Sequence, residues 1–377
     1  MSLSHSRRIL IIHPVAERGG SDYCLLRMVR GLVPAGWTCH VVTPTVSPLA
    51  SDFSDAGVTM HVIPMRKITR SASFWYWIKY AFAWPFAVFR LMRLASRVEA
   101  RIIDSNSLHS WYGWAVAGLT RRPHVWHARE IVVQSSAALR LEQWLCRHFA
   151  TVVIAASRPV AAQLEGSNVV VVHDIPDSSE FAPNRAGNFR PRIPIPDSAP
   201  LVGAAGRIDT WKGFEVFLDA IPLMQEVIPE LHVVVAGGAV PGKEAFENSL
   251  AERARAMSNV HWLGERHDIP DLLADLDVFV LPSTEPEPFA SVMAEALASG
   301  VPVVATDHGG SPEMLAPFPH TLHRLVPPRD PNALAKAVIG LIPRQHSDVT
   351  YRRSRVPMLV AQDPTFESIF ASIASLL

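Results

Sequence analysis

Cysteine is scarce in this sequence. Cys24, Cys39 and Cys146 are the only three in 377 residues, and they lie far apart with no metal-type spacing. This argues against a disulfide scaffold or a cysteine metal site, and the three read as buried thiols of a reducing compartment. Net charge is missing too: 35 Lys and Arg balance 35 Asp and Glu. A general nucleic-acid binder would normally be basic, so no nucleic-acid partner is expected. The N-terminal stretch MSLSHSRRILIIHP has a run of only four apolar residues before His13 and Pro14, too short for a signal-peptide core. Several catalytic signatures are also absent. A dinucleotide fold needs G-x-G-x-x-G after a strand, and Gly203 and Gly206 do not supply it. There is no Walker pattern, no H-E-x-x-H and no G-x-S-x-G elbow, so neither a metal nor a bound cofactor is expected.

What the chain does have is apolar residues, 49% of the total, and length enough for two domains. Short apolar runs alternate with helical segments. Strand candidates are Ile9–Ile12, His40–Val42, Thr59–Ile63, Ala100–Ile103, His124–Trp126 and Val152–Ala155, then Leu201–Ala205, His232–Ala236, His261–Leu263, Val278–Leu281 and Val301–Ala305. Runs this apolar, without alternation, suit parallel strands covered on both faces, joined by right-handed βαβ crossovers. Residues 183–200 hold five prolines and no apolar periodicity, which is linker composition. The expected organisation is a first domain at 1–182, a linker at 183–200, a second domain at 201–360 and a C-terminal helix at 361–377 packing back on the first. The fold class is α/β, with two doubly wound Rossmann-like domains. Such sheets bind ligands at the carboxyl ends of their strands.

In the second domain, strand Leu201–Ala205 runs into GRIDTWKGFEVFLDAI. Arg207 and Lys212 flank a turn before a helix that starts near Gly213. Two cations beside a helix N-terminus can make an anion site, although on its own the segment reads better as a solvated turn with chance charges. Further on, EPEPFASVMAEALASGVPVVAT places Glu287 and Glu295 eight positions apart. With Pro288 at the first helical position and Gly300 at the end, the helix is expected over Pro288–Ser299. Eight positions then span about 12 Å, near the reach of a nucleotide sugar from hexose to ribose. Each carboxylate could accept hydroxyl hydrogen bonds, with the helix N-terminus toward a diphosphate; a helix cap at Glu287 and an ion pair at Glu295 fit the isolated pair equally well. Gly309 and Gly310 in TDHGGSPE would let backbone approach a ligand.

Taken together, these stretches resemble the family-4 glycosyltransferases of the GT-B fold, over nearly the whole chain. The resemblance is carried by E-P-F-A-S-V-M-A-E (Glu287–Glu295), G-R-x-x-x-x-K-G (Gly206–Gly213), D-V-F-V-L-P-S (Asp277–Ser283), G-G-S-P-E (Gly309–Glu313) and GGSDYCLLRMVRGL from Gly19. It implies two domains facing a central cleft and a retaining, metal-free transferase that uses a nucleotide-diphosphate sugar as co-substrate. It further implies that Arg207 and Lys212 bind the diphosphate, that Glu295 holds the ribose, and that Glu287 holds the donor sugar together with the backbone of Phe289, Ala290 and Ser291. Gly19 and Gly20 match the family's glycine loop. Ala290 stands where glycine is common, and Asp174 where asparagine is usual. An epimerase or phosphorylase on the same fold, or a non-catalytic partner subunit, are the alternatives.

In the first domain, HAREI places His127 after a strand. It resembles the family histidine that approaches donor sugar and acceptor; a structural histidine at a strand end is the alternative. Arg129 and Glu130 are candidate acceptor contacts or a mutual pair. Asp104, Ser105, Asn106 and His109 follow another strand and are candidates for the same cleft. Phe74–Phe89 holds nine aromatics in sixteen residues, and Ala56–Val98 holds seven Lys or Arg and no acid. Lys79 and Pro85 interrupt the apolar run, so a spanning helix is not expected. Peripheral membrane contact through residues 66–97 is expected instead, and a glycan or lipid-linked acceptor, with the protein cytoplasmic on the inner face of the plasma membrane. A buried aromatic helix with a wet basic side is the rival reading.

Overall fold

The computed structural model describes residues 7–66, 73–132, 136–164, 166, 168–183, 185, 187–342 and 365–375. The chain divides into two compact units, Met1–Asp174 with Ala361–Leu377, and Ile175–Val360.

The first unit runs β1 (Arg8–Ile12), α1 (Gly20–Leu32), β2 (Thr38–Thr43), α2 (Ala50–Asp55), β3 (Thr59–Val62), α3 (Phe74–Arg97), β4 (Ile102–Ser105), α4 (Gly113–Thr120), β5 (His124–Ala128), α5 (Ser136–Phe149), β6 (Val152–Ala155), α6 (Arg158–Leu164) and β7 (Val169–Val171). All seven strands are parallel, in the order β3-β2-β1-β4-β5-β6-β7. The non-alternating run Ile9–Ile12 is fully buried, as a central parallel strand covered on both faces must be. On one face α1 turns Leu25, Met28, Val29 and Leu32 onto Ile9 and Ile11. Their spacing of three and four makes one helical stripe.

The second unit runs β8 (Leu201–Ala205), α7 (Phe214–Val227), β9 (His232–Ala236), α8 (Glu244–Arg255), β10 (Val260–Gly264), α9 (Ile269–Asp275), β11 (Val278–Leu281), α10 (Ser291–Ala298), β12 (Val303–Thr306), α11 (Ser311–Leu315), β13 (His323–Val326) and α12 (Pro331–Ile339). Its six parallel strands lie in the order β10-β9-β8-β11-β12-β13. In both sheets the order reverses beside the first strand, at β1/β4 and at β8/β11. The last helix, α13 (Phe366–Ser375), belongs to the first unit, where Phe370 meets Trp37 edge-on at 5.7 Å.

The two Rossmann-like sheets expected from sequence are present. β7 and β13 had no counterpart among the strand candidates: each is a three- or four-residue strand at a sheet edge, too short to show a pattern. The proline-rich segment expected as a linker is held on the second unit. Phe189 is fully buried, its N–H and that of Arg190 donate to Asp275 Oδ2 at 2.7 and 2.9 Å, and Arg190 reaches Asp277 Oδ2 at 3.2 Å.

All three cysteines are buried and form no disulfide. Burial pushes the Cys39 and Cys146 thiols up to about 12; burial and the Asp174 carboxylate push Cys24 up to about 11. α3 is one continuous helix with Pro85 inside it. Pro85 is exposed. Among the described residues no helix is long and apolar enough to cross a membrane.

Candidate functional site

In the second unit, three loops leave the carboxyl ends of β8, β11 and β12 and lock together. Asp209 Oδ1 caps a 3-10 turn, Thr210–Lys212, by accepting from Thr210 N at 2.7 Å, and Oδ2 accepts Trp211 Nε1 at 3.0 Å. Gly213 follows with φ +73°, and a Cβ there would stand 1.9 Å from Pro282 O, so only glycine lets the two loops touch. Thr284 N donates to Trp211 O at 2.7 Å. From the third loop, Gly310 N donates to Glu287 O at 2.8 Å, and Gly309, at φ +60°, lies so close that a Cβ would meet Glu287 O at 2.3 Å.

This packing brings Lys212 and Glu287, 75 positions apart, into direct contact. Lys212 Nζ donates to both Glu287 oxygens at 2.8 Å, and the two side chains are 16% and 4% exposed. Ser283 Oγ donates to Glu287 Oε1 as well. Lys212 Nζ also lies 4.4 Å from the Trp211 ring centroid. A carboxylate this buried needs its charge met, and here a cation and a hydroxyl meet it. The ammonium has three protons and gives two to Glu287, leaving one for a further acceptor.

The helix expected over Pro288–Ser299 is shorter: α10 starts at Ser291. Glu287 precedes a proline, which disfavours helical backbone, and Ala290 is extended at φ −88°, ψ 92°. Glu287 therefore sits in a loop, and the 12 Å helical spacing to Glu295 does not apply. Glu295 is half-buried in the second turn of α10; Phe289 and Ser291 are half-buried and Ala290 is buried. Arg207 is exposed. His308 was not singled out from sequence. Its Nε2 donates to Ser283 O at 2.9 Å, which leaves Nδ1 an acceptor, buried and without a partner among the described residues. Its position beside Gly309 was the one available signal.

The first unit gathers a different set where its strand order reverses. Asn106 Nδ2 lies 3.1 Å from His13 Nδ1, and Arg129 Nε donates to Asn106 Oδ1 at 3.2 Å. With the amide so oriented, His13 Nε2 donates to Asp22 Oδ1 at 3.2 Å. Asp22, in the first turn of α1, also accepts Glu17 N and so holds the Gly19 loop. Gly19 is the N-cap of α1, and Gly20 is exposed. Neither His13 nor Asp22 was anticipated, although His13 directly follows β1 and Asp22 lies within the glycine-loop motif.

His127 was expected just beyond a strand. β5 instead continues to Ala128, which pairs with Ala155, so His127 is inside the strand and 1% exposed. Its Nε2 bonds Asp104 Oδ2 at 2.8 Å, and Phe366 of α13 lies over its ring at 5.7 Å. Arg129 and Glu130 do not pair through their side chains. Glu130 accepts Ser107 Oγ at 2.5 Å, Leu108 N at 3.1 Å and Arg129 N at 3.0 Å, and so shapes the loop after β4. Arg129 Nη2 is buried without a partner among the described residues. Ser105 bonds His124 at 3.0 Å, and His109 bonds Glu142 at 2.8 Å, away from the His13 set. Among the described residues no group of three His, Cys, Asp or Glu could hold a metal ion.

Comparison with known proteins fits this arrangement. The family described as "Glycosyl transferase 4-like domain" matches residues 19–176, and "Glycosyl transferases group 1" matches 199–344. The lipopolysaccharide core biosynthesis mannosyltransferase LpsB of Rhizobium meliloti (strain 1021) is 35% identical over 167 residues, 43% of this chain and 47% of that protein. The GDP-mannose-dependent monoacylated alpha-(1-6)-phosphatidylinositol monomannoside mannosyltransferase of Corynebacterium glutamicum is 26% identical over 227 residues, 58% of this chain and 55% of that one. The chain thus spans about half the length of these curated relatives. The crystal structure of Anabaena Alr3699/HepE in complex with UDP and glucose superposes with a TM-score of 0.77 at 21% identity, covering 98% of this chain and 97% of that one, which establishes the GT-B fold. With one family match over each sheet and both sheets wound as that fold requires, the chain belongs to the family-4 glycosyltransferases.

Proposed function

We propose that the protein transfers a hexose-type sugar from a nucleotide-diphosphate donor to an acceptor hydroxyl, with retained anomeric configuration and without a metal. The observation that carries this reading is the Lys212–Glu287 pair, gripped by three loops at the carboxyl ends of β8, β11 and β12. Strand-end loops at a reversal of strand order are where doubly wound sheets take nucleotides. Lys212 holds both Glu287 oxygens in place and directs its remaining proton to a phosphate oxygen. Exposed Arg207 adds a guanidinium fork for the diphosphate. Glu287, held by Lys212 and Ser283, accepts from donor-sugar hydroxyls, beside the backbone of Phe289, Ala290 and Ser291. Glu295 on α10 holds the ribose. These preorganised charges stabilise the departing diphosphate, which helps take the acceptor proton in a front-face displacement.

The first unit supplies the acceptor side. Arg129, with one buried amino group lacking a partner and its Nε fixed on Asn106, is the leading acceptor contact there. His127, bonded to Asp104, acts by positioning. The relatives named above act on lipopolysaccharide core and on a phosphatidylinositol mannoside, which favours a lipid-linked or cell-surface glycan precursor as acceptor. Work at the inner face of the plasma membrane follows from that choice. The same relatives make GDP-mannose the first donor to try, and the UDP-bound neighbour makes UDP-glucose the second.

A thermal-shift panel of GDP, UDP, ADP and their sugars tests the donor site. Ligand at about a hundred times its dissociation constant adds roughly 2.7 kcal/mol to stability. Absence of any shift with all three diphosphates sinks the reading. Product anomers read by NMR test retention, and activity surviving EDTA tests the metal-free step.

A further inference from the structure

α3 is turned inside out for a surface helix. Its buried positions are Tyr80, Ala87, Val88, Leu91 and Ala95, mostly small or aliphatic, while most of its aromatic rings point outward. Phe74, Trp75, Phe82, Phe86 and Phe89 are 75, 68, 74, 71 and 57% exposed. An amphipathic helix on a globular core normally does the reverse. Trp75, Phe82, Phe86, Phe89 and Arg93 follow one another at intervals of seven, four, three and four, so they form one stripe along about 27 Å of helix. Lys79, Arg90 and Arg97, all exposed, recur at intervals of eleven and seven and line one margin of that stripe. The Arg93 guanidinium lies 5.8 Å from the Phe89 ring centroid.

The helix is not loose. Trp84 is turned inward, its Nε1 donating to Trp111 O at 2.9 Å, and its ring meets Trp114 at 5.9 Å. Trp114 in turn meets Phe149 at 4.8 Å, and Phe149 meets exposed Trp144 of α5 at 5.6 Å. An anchored helix that keeps five rings in water is built to meet something apolar.

We infer that the outer face of α3 docks flat on an anionic bilayer, with Trp75, Phe82, Phe86 and Phe89 in the interface and Lys79, Arg90, Arg93 and Arg97 on lipid phosphates. Charge decides the occupant. From Ala56 to Val98 the chain carries no Asp or Glu, so the face offers nothing to neutralise its own basic margin. A second copy docked by two-fold symmetry would set like charges against each other. An anionic leaflet supplies the missing sign, and rings beside basic residues match the interfacial pattern.

This inference rests on the proposed membrane-side acceptor for its purpose, but its test needs neither nucleotide nor sugar. The full chain is floated with phosphatidylcholine vesicles with and without phosphatidylglycerol, at low and high salt. Wild type rises with the anionic vesicles and keeps part of that binding at high salt. Phe82→Ser, Phe86→Ser and Phe89→Ser together remove the salt-resistant part, lowering partitioning on the order of a hundredfold. Arg90→Gln, Arg93→Gln and Arg97→Gln together lower it roughly a hundredfold at low salt and little at high salt. The thermal shift given by a nucleotide diphosphate stays at the wild-type value in both variants, because the second unit is untouched. Wild type remaining at the bottom with anionic vesicles at low salt overturns the inference. So does a wild-type dimer that the phenylalanine variant turns into a monomer, or unfolding of that variant, which would make the rings core.

Discussion

The two sheets are wound alike, and each collects polar side chains where its strand order reverses, but with opposite electrostatics. At β8/β11 the second unit holds an ion pair, Lys212–Glu287, nearly sealed from water and clasped by Gly213 and Gly309. At β1/β4 the first unit holds a relay of hydrogen bonds, Asp22–His13–Asn106–Arg129. The first is a fixed pair of charges with a proton to spare; the second orients side chains and leaves part of a guanidinium unsatisfied. In the proposed function the diphosphate meets the preset charge, and a hydroxyl-rich acceptor meets the oriented donors and acceptors. One sheet topology supplies the place, and the loops supply the chemistry.

The comparison breaks most easily at Lys212. Lys212→Ala leaves the Glu287 carboxylate buried without its cation, so stability should fall by about 3–5 kcal/mol in urea denaturation. Glu287→Ala on that background should restore part of the stability but none of the sugar transfer. Additive losses in the double mutant would mean that the two side chains do not act as a unit.

Acid should separate the units next. Burial pushes the His124 imidazole down to about 3, and His124 belongs to the first unit. A folded-state value below the unfolded value of about 6.5 means that its stability contribution is complete above 6.5 and is lost as pH falls from there toward 3. At pH 5 the loss is about 2 kcal/mol. His232 and His261 of the second unit, stacked with ring centroids 5.3 Å apart, are shifted the same way, mainly by burial. Urea melts followed at pH 7 and pH 5 should show acid weakening the first unit more, and His124→Gln should flatten that difference. An unchanged pH profile in the variant would remove His124 as the cause.

Asn106→Ala cuts the relay in the first unit at its centre. It should cost about 1–3 kcal/mol of stability, because His13 and Arg129 each lose a buried partner. Affinity for a nucleoside diphosphate in calorimetry should hold while transfer to acceptor drops; an equal loss of both would erase the division of labour between the units. The smallest structural effect is expected from Arg207→Gln. Arg207 is exposed, so stability should stay within about 0.5 kcal/mol. Diphosphate affinity should nonetheless fall, and more at low salt than at high. A stability loss comparable to that of Lys212→Ala would show that Arg207 has a structural partner.

What could be read beforehand differs between the units for a physical reason. Lys212, Glu287 and Gly309 each lie in a local stretch whose strand, turn and glycine pattern is visible in a few residues. The His13–Asp22–Asn106–Arg129 set draws on four segments, none of which carries a charge pattern of its own. The helix start missed by three residues at Ser291 shows the limit even locally: a proline at Pro288 is compatible with a first helical turn, but Gly310 had already taken the carbonyl of Glu287.

From its own periodicity the sequence determined two parallel α/β sheets, the loops at their carboxyl ends, and a basic aromatic stretch without acids. These follow from local rules, because burial on both faces demands apolar runs and glycine marks close approach. The tertiary structure alone decided who meets whom. It joined Lys212 to Glu287, drew His127 into β5 beneath Phe366, and turned Trp84 inward while leaving Phe82, Phe86 and Phe89 in water. The reason is that hydrogen bonding and packing act between surfaces, and which side of a helix or which end of a loop faces a neighbour is set only when the neighbour is in place.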